Sequence, residues 1–120
     1  MISMKSLVCT IIIAALIFSI FAPFAVAQAI PNYSDKYVDD FAGIFSQNET
    51  AYLRNLLYET EINTTAEAVV ATIKECGEDY TSFAFNLAST WKIGKADKSN
   101  GLLILYCGKL QKVVIFWSIV

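Results

Sequence analysis

Trp91-Lys-Ile-Gly94-Lys-Ala-Asp-Lys-Ser-Asn100-Gly101-Leu-Leu-Ile-Leu105 is the stretch on which the fold turns. It reads as the end of an amphipathic helix, a tight polar loop and a fully buried strand. Gly94 sits where a helix C-terminus favours a left-handed residue. Asn100-Gly101 is turn chemistry placed directly before an apolar run. A helix–loop–strand switch of this kind is the working unit of α/β folds.

Working outward, Phe83, Ala84, Leu87, Ala88 and Trp91 recur at helical spacing, with Asp79 as N-cap. Before them, residues 67–73 are β-branched and apolar, as a buried strand requires. Ser46 and Glu49 form a capping box that starts an earlier helix, whose apolar face is Leu53, Leu56 and Leu57 and whose stop is Asn63. After Leu105 the strand extends over 102–107. Gly108-Lys109 allows a tight hairpin, and Leu110–Phe116 pairs back antiparallel. The order is helix, strand, helix, strand, strand. This predicts an α/β fold: a small mixed sheet whose parallel strands near 67 and 102 are joined by a right-handed crossover helix, with helices packed on it. Residues 28–45 read as a lead-in loop packing Tyr37, Val38, Phe41 and Phe45 onto a domain at 46–120.

The chain has 120 residues, a net charge of −2 and 17% charged residues, with no basic stripe. That argues against nucleic acid as a partner. There is no histidine, which removes histidine acid–base chemistry and histidine-ligated zinc. Lys5 followed by the uncharged run 7–27 predicts a signal peptide or a membrane anchor; Ala25-Val-Ala27 and Ala27-Gln-Ala29 both fit a cleavage site. Either way residues 30 onward are exported. Cys9 lies in that segment, leaving Cys76 and Cys107 in the domain. A disulfide between them is open in an oxidising compartment; the plainer reading is two separate small apolar residues. Asn48 and Asn63 begin glycosylation sequons.

Tyr37-Val-Asp-Asp-Phe-Ala-Gly43 followed by Ser46 resembles the "Y-V-N-D-x-A-G-x-x-S" opening of TPM domains. Trp91-x-Ile-Gly94-Lys95 and Asn100-Gly101-Leu-Leu-Ile-Leu resemble that family's "W-G-I-G-x-K-x-x-N-N-G-V-L-L-L" block. The resemblance covers about residues 31–115. It implies an α/β module, exported and often membrane-tethered, of a family that includes thylakoid-lumen proteins linked to photosystem II repair. It also implies the acid phosphatase activity attributed to some plant members. Three positions depart from the pattern: Asp39 stands for Asn, Lys92 for Gly, and Ser99 for Asn or Asp. The family continues beyond the last strand with a Gly-rich turn, an acidic residue and a helix, so Lys112–Val120 is read as the end of a truncated copy.

Ligands of open α/β sheets bind at the carboxyl ends of the strands. Asp39, Asp40, Glu75, Glu78 and Asp79 fall near that edge. Asp39, Asp40, Glu78 and Asp79 are the candidate ligands for Ca²⁺ or Mg²⁺. The plainer alternative is that Asp40 organises a loop, Asp79 caps a helix and the glutamates are solvated. Lys95, Asp97, Lys98 and Asn100 lie at the opposite edge, where lysines and backbone N–H groups could hold a phosphate. Asp40, Lys95 and Asn100 are the catalytic candidates. Three functions follow: a non-catalytic accessory to a membrane or membrane protein complex, a weak metal-assisted acid phosphatase of unknown small-molecule substrate, or a non-functional remnant.

Overall fold

A computed structural model describes residues 3–20, 29–94 and 98–119, without the side chains of 18–20 and 118–119. Helix α1 spans Met4–Ile20, and its side chains over 4–17 are exposed. Among the described residues no helix is long and apolar enough to cross a membrane. The expected apolar run continued to residue 27, and 21–28 lie outside the described residues.

The domain begins with a strand that the lead-in reading did not contain. β1, Val38–Asp40, pairs parallel with β2, Glu67–Ile73, placing Asp40 opposite Thr72. Between them α2, Gln47–Thr64, starts after Ser46 with both halves of the capping box formed; its last residue lies one beyond the expected stop, and Thr65 caps it in the left-handed region. α3, Tyr80–Thr90, is capped by Asp79. It leads to β3, Gly101–Cys107, parallel to β2, and then to β4, Lys112–Ile119, antiparallel to β3. The strand order is β1-β2-β3-β4.

Strand alternation divides the core between two faces. Val69, Ala71 and Ile73 of β2, with Leu103 and Leu105 of β3, meet Phe83, Ala84, Leu87 and Ala88 of α3. On the other face Val38, Ala68 and Val70 meet Leu57 of α2. Both parallel connections advance the same way across the sheet, yet their helices lie on opposite faces. The two crossovers are therefore of opposite hand, and only one can follow the right-handed rule.

The Trp91–Leu105 stretch behaves as expected in outline and differently in detail. α3 closes with a Schellman motif: Ile93 N–H donates to Ala88 O (3.2 Å) and Lys92 N–H to Ser89 O (3.3 Å). The left-handed residue of that motif is Lys92, at φ 52°, rather than Gly94. Gly94, at φ 96°, and Ser99, at φ 47°, both take a positive φ in the polar loop. Gly101 is needed for space: a Cβ there would lie 2.6 Å from Ile93 O and 3.1 Å from Gly94 Cα. The hairpin after β3 uses four residues, Gly108 to Gln111, closed by Gln111 N–H donating to Gly108 O (3.2 Å). Leu110 thus belongs to the turn, and pairing starts at Lys112.

Candidate functional site

Three loops meet at the carboxyl edge of the parallel strands: the turn after β1, the loop after β2 and the β3–β4 hairpin. Asp40 holds the first. Its Oδ1 accepts from Ile44 N–H (3.1 Å) and the Thr72 hydroxyl, and its Oδ2 from Phe45 N–H (3.0 Å). Burial works to raise its pKa, but the Thr72 hydroxyl and the N–H groups of Phe45, Ile44 and Gly43 outweigh it and hold the carboxyl below its ordinary value. Asp40 is thus an ionised acceptor already occupied by the turn it shapes. A general base needs a free lone pair facing substrate.

The second loop runs from Lys74 to Asp79. Asp79 accepts from Ser82 N–H (3.1 Å) and the Ser82 hydroxyl (2.7 Å), and these bonds lower its pKa. Glu75 pairs with Lys109 of the hairpin (2.9 Å), and Glu78 is exposed. Beneath them a disulfide joins Cys76 to Cys107, with Cα atoms 5.8 Å apart and both cysteines buried. The plainer reading of two separate cysteines is corrected: their strand ends are neighbours in the sheet. A cleft of about 280 Å³ opens here, lined by Glu75, Cys76, Gly77, Glu78, Lys109 and Leu110.

Asp39 points the other way. Adjacent strand residues face opposite sides of a sheet, so Asp40 faces α2 while Asp39 is buried on the α3 side at 3% exposure. One of its oxygens, Oδ1, accepts from Asp35 N–H (3.0 Å) and the Ser34 hydroxyl; Oδ2 has no partner. Burial raises its pKa against those bonds. Among the described residues no three His, Cys, Asp or Glu side chains form a metal-holding group. The four carboxylates considered for Ca²⁺ or Mg²⁺ do not converge.

The residues before β1 carry contacts for which the sequence offers little signal. Trp91 Nε1–H donates to Pro31 O (2.9 Å), and its ring stacks on Tyr33 with centroids 4.9 Å apart. Arg54 of α2 binds Asp35, with Nε–H 3.1 Å from Oδ2. Glu61 accepts from Lys36 (2.9 Å) and Tyr37 (2.7 Å).

The profile of the TPM domain family matches residues 38–116, well over half of the chain. The chain belongs to the TPM domain family. None of the curated proteins matches it. A similar solved structure is the solution NMR structure of the N-terminal domain of a protein from P. gingivalis, with a TM-score of 0.63 and 24% identity over 70% of this chain. That likeness concerns the fold alone. This chain covers 54% of it, about half its length.

In this TPM domain the two recognisable motifs lie at opposite edges of the sheet. The first is β1, the Asp40 turn and the Ser46 cap. The second is the Schellman motif, the polar loop and the start of β3. Asn100 of the second donates through Nδ2 to Thr65 O (2.7 Å), and its backbone carbonyl accepts from Glu67 N–H (3.1 Å), tying the starts of β2 and β3. Lys98 is exposed. Lys95 and Asp97 lie outside the described residues. Asp40 and Asn100 are therefore not brought together.

Proposed function

We propose that this TPM domain is an exported, disulfide-stabilised accessory module that serves a membrane or membrane protein complex from outside the cytoplasmic membrane. The observation that carries the reading is the buried Cys76–Cys107 disulfide, since such bonds persist in oxidising compartments and are rare in reducing ones. The uncharged run 7–27 behind Lys5 supports the same direction. An accessory role is favoured over hydrolysis because Asp40 and Asp79 are engaged by the loop and helix they organise. Metal-assisted phosphate transfer needs carboxylates free to hold the ion.

The test combines location, redox state and activity of the full chain expressed in a cell with an export pathway. Thiol alkylation without reductant, read by intact mass, is expected to leave Cys76 and Cys107 unmodified in the extracytoplasmic fraction. Purified protein with added Mg²⁺ or Ca²⁺ is expected not to turn over a phosphomonoester. A reduced cytosolic product would overturn the export reading. Metal-dependent turnover abolished by Asp40→Ala would overturn the accessory role in favour of a phosphatase.

A further inference from the structure

Asn48-Glu-Thr50 and Asn63-Thr-Thr65 both belong to α2, one in its first turn and the other running over its end. Such triplets are common by chance, and what sets these two apart is their placement. An α-helix turns by about 100° and rises by about 1.5 Å per residue, so Asn63 lies about 60° around α2 from Asn48 and about 22 Å along it. The arc between them faces outward. Leu57, which α2 buries against β1 and β2, lies roughly on the opposite side. Asn48, Asn55, Glu59 and Asn63 are all exposed. Among the described residues the side chains of Asn48 and Asn63 make no hydrogen bond. A third triplet, Asn32-Tyr-Ser34, lies before β1 and off this face: its serine hydroxyl donates to Asp39 and its tyrosine stacks on Trp91.

The outward face of a surface helix is normally polar. Here Tyr52, Leu56 and Ile62 stand between the two asparagines at 69%, 47% and 60% exposure. At the first end Asn48 and Tyr52 line an open groove of about 590 Å³ with Ile44 and Leu53, so a group carried on the Asn48 amide begins against apolar side chains. An uncovered apolar stripe is an association site. A bulky, solubilising group at each end closes it to other chains.

We propose that the outer face of α2 bears N-linked glycans on Asn48 and Asn63, which cover Tyr52, Leu56 and Ile62. Export, as proposed above, is a precondition, because the donor is a lipid-linked oligosaccharide diphosphate used outside the cytosol. Nδ2 of the asparagine bonds to C1 of the first sugar as the C1–O bond to the diphosphate breaks. The lipid diphosphate leaves with the electron pair, and one amide proton passes to a base of the transferase. The middle residues, Glu49 and Thr64, are not proline, and the third is threonine in both triplets, as the reaction requires. The apolar C–H faces of the attached sugars then lie against the stripe.

The experiment expresses the full chain, with its own N-terminal segment, in a eukaryotic secretory host. Trypsin cuts after Arg54, between the two sites, so each is read in its own peptide. Peptide N-glycosidase converts every glycan-bearing asparagine to aspartate. Conversion is expected at Asn48 and Asn63, with Asn55, which starts no triplet, as the internal control. Asn48→Gln and Thr50→Ala should each remove the first glycan alone. Asn63→Gln and Thr65→Ala should remove the second alone, and Thr65→Ser should keep it. Digestion of the native protein should raise the fluorescence of an apolar dye about twofold or more as the stripe is uncovered. Tyr52→Ser with Leu56→Ser should abolish most of that rise. An exported, disulfide-bonded chain with either asparagine unmodified would overturn the proposal and leave the export reading standing; a reduced, cytosolic chain would overturn both. A rise in dye fluorescence indifferent to the Tyr52 and Leu56 substitutions would overturn the covering of the stripe.

Discussion

Lys92 and Ser99 depart from the family pattern, and both sit in the left-handed region. There a side chain costs conformational energy that Gly avoids and Asn partly escapes. Lys92 is exposed and its backbone makes the Schellman bond, so nothing else at the site opposes replacement. Lys92→Gly is expected to stabilise the domain by about 0.5–1 kcal/mol, the left-handed penalty less the entropy cost of Gly, and Ser99→Asn by less. Urea unfolding reads both as shifts in midpoint without a change in slope. Gly101 gives the opposite case. Its missing Cβ is space for the backbone of Ile93, and backbone cannot yield as a flexible side chain can. Gly101→Ala should destabilise by roughly 2–3 kcal/mol through forced displacement of the loop; an unchanged midpoint would show that the approach is looser than 2.6 Å. At this scale the Ser46 box and the Asp79 cap were legible because capping depends on neighbours three residues apart. The fate of Asp39 was not. Whether the first or second of two adjacent aspartates is buried depends on which face of β1 meets α3, and that is a tertiary fact.

β2, α2, α3 and β3 were legible as elements because each carries a long periodic or continuous apolar pattern. β1 was not, for a physical reason: only three residues pair, two of them are aspartates, and the strand exists by virtue of β2 beside it. The hairpin is longer than Gly108-Lys109 suggests because Gln111 takes a positive φ that its side chain does not advertise. The cysteine pairing lay between these cases. Cys107 ends β3 and Cys76 follows β2, so parallel neighbours bring them together once the register is known. The bridge closes a segment with a sequence separation of 31 that contains all of α3. Replacing both cysteines with Ser should cost about 3 kcal/mol, chiefly by freeing the unfolded chain. Thermal unfolding with and without reductant measures it directly: the native protein should lose stability on reduction, and the double variant should not respond. A reductant-insensitive native protein would refute the pairing. Ser46→Ala tests the same logic at α2, with an expected loss of about 1 kcal/mol from the missing cap.

The whole molecule is unevenly clad. On one face α3 and the residues before β1 cover the sheet out to β4, where Val114 and Phe116 join the core and Phe116 meets Phe85 edge-on at 5.8 Å. On the other, α2 lies over β1 and β2, and among the described residues no element covers the β4 side chains there. Val113, Ile115 and Trp117 are 62%, 55% and 68% exposed. They form an alternating apolar stripe on the last strand of the sheet, whose outward backbone groups have no ladder partner among the described residues. Natural edge strands carry charges, prolines or bulges that discourage pairing with another chain. Over Val113–Trp117 this strand has no charge and no proline, and its one register shift lies further along, at Gly101/Leu102. The described domain is therefore expected to self-associate as concentration rises. Ile115→Lys, at the centre of the stripe, puts a charge on the exposed face without touching the α3 core. It should raise the concentration at which light scattering first departs from that of a monomer, by about tenfold if pairing weakens by about 1.4 kcal/mol. Its unfolding midpoint should stay within about 0.5 kcal/mol of the parent, as for a surface substitution. Val114→Lys is the control, because it places the same charge on the face that packs against the core. It should unfold the domain and worsen association. Equal behaviour of the two variants would mean that association arises from unfolded chains rather than from the exposed edge.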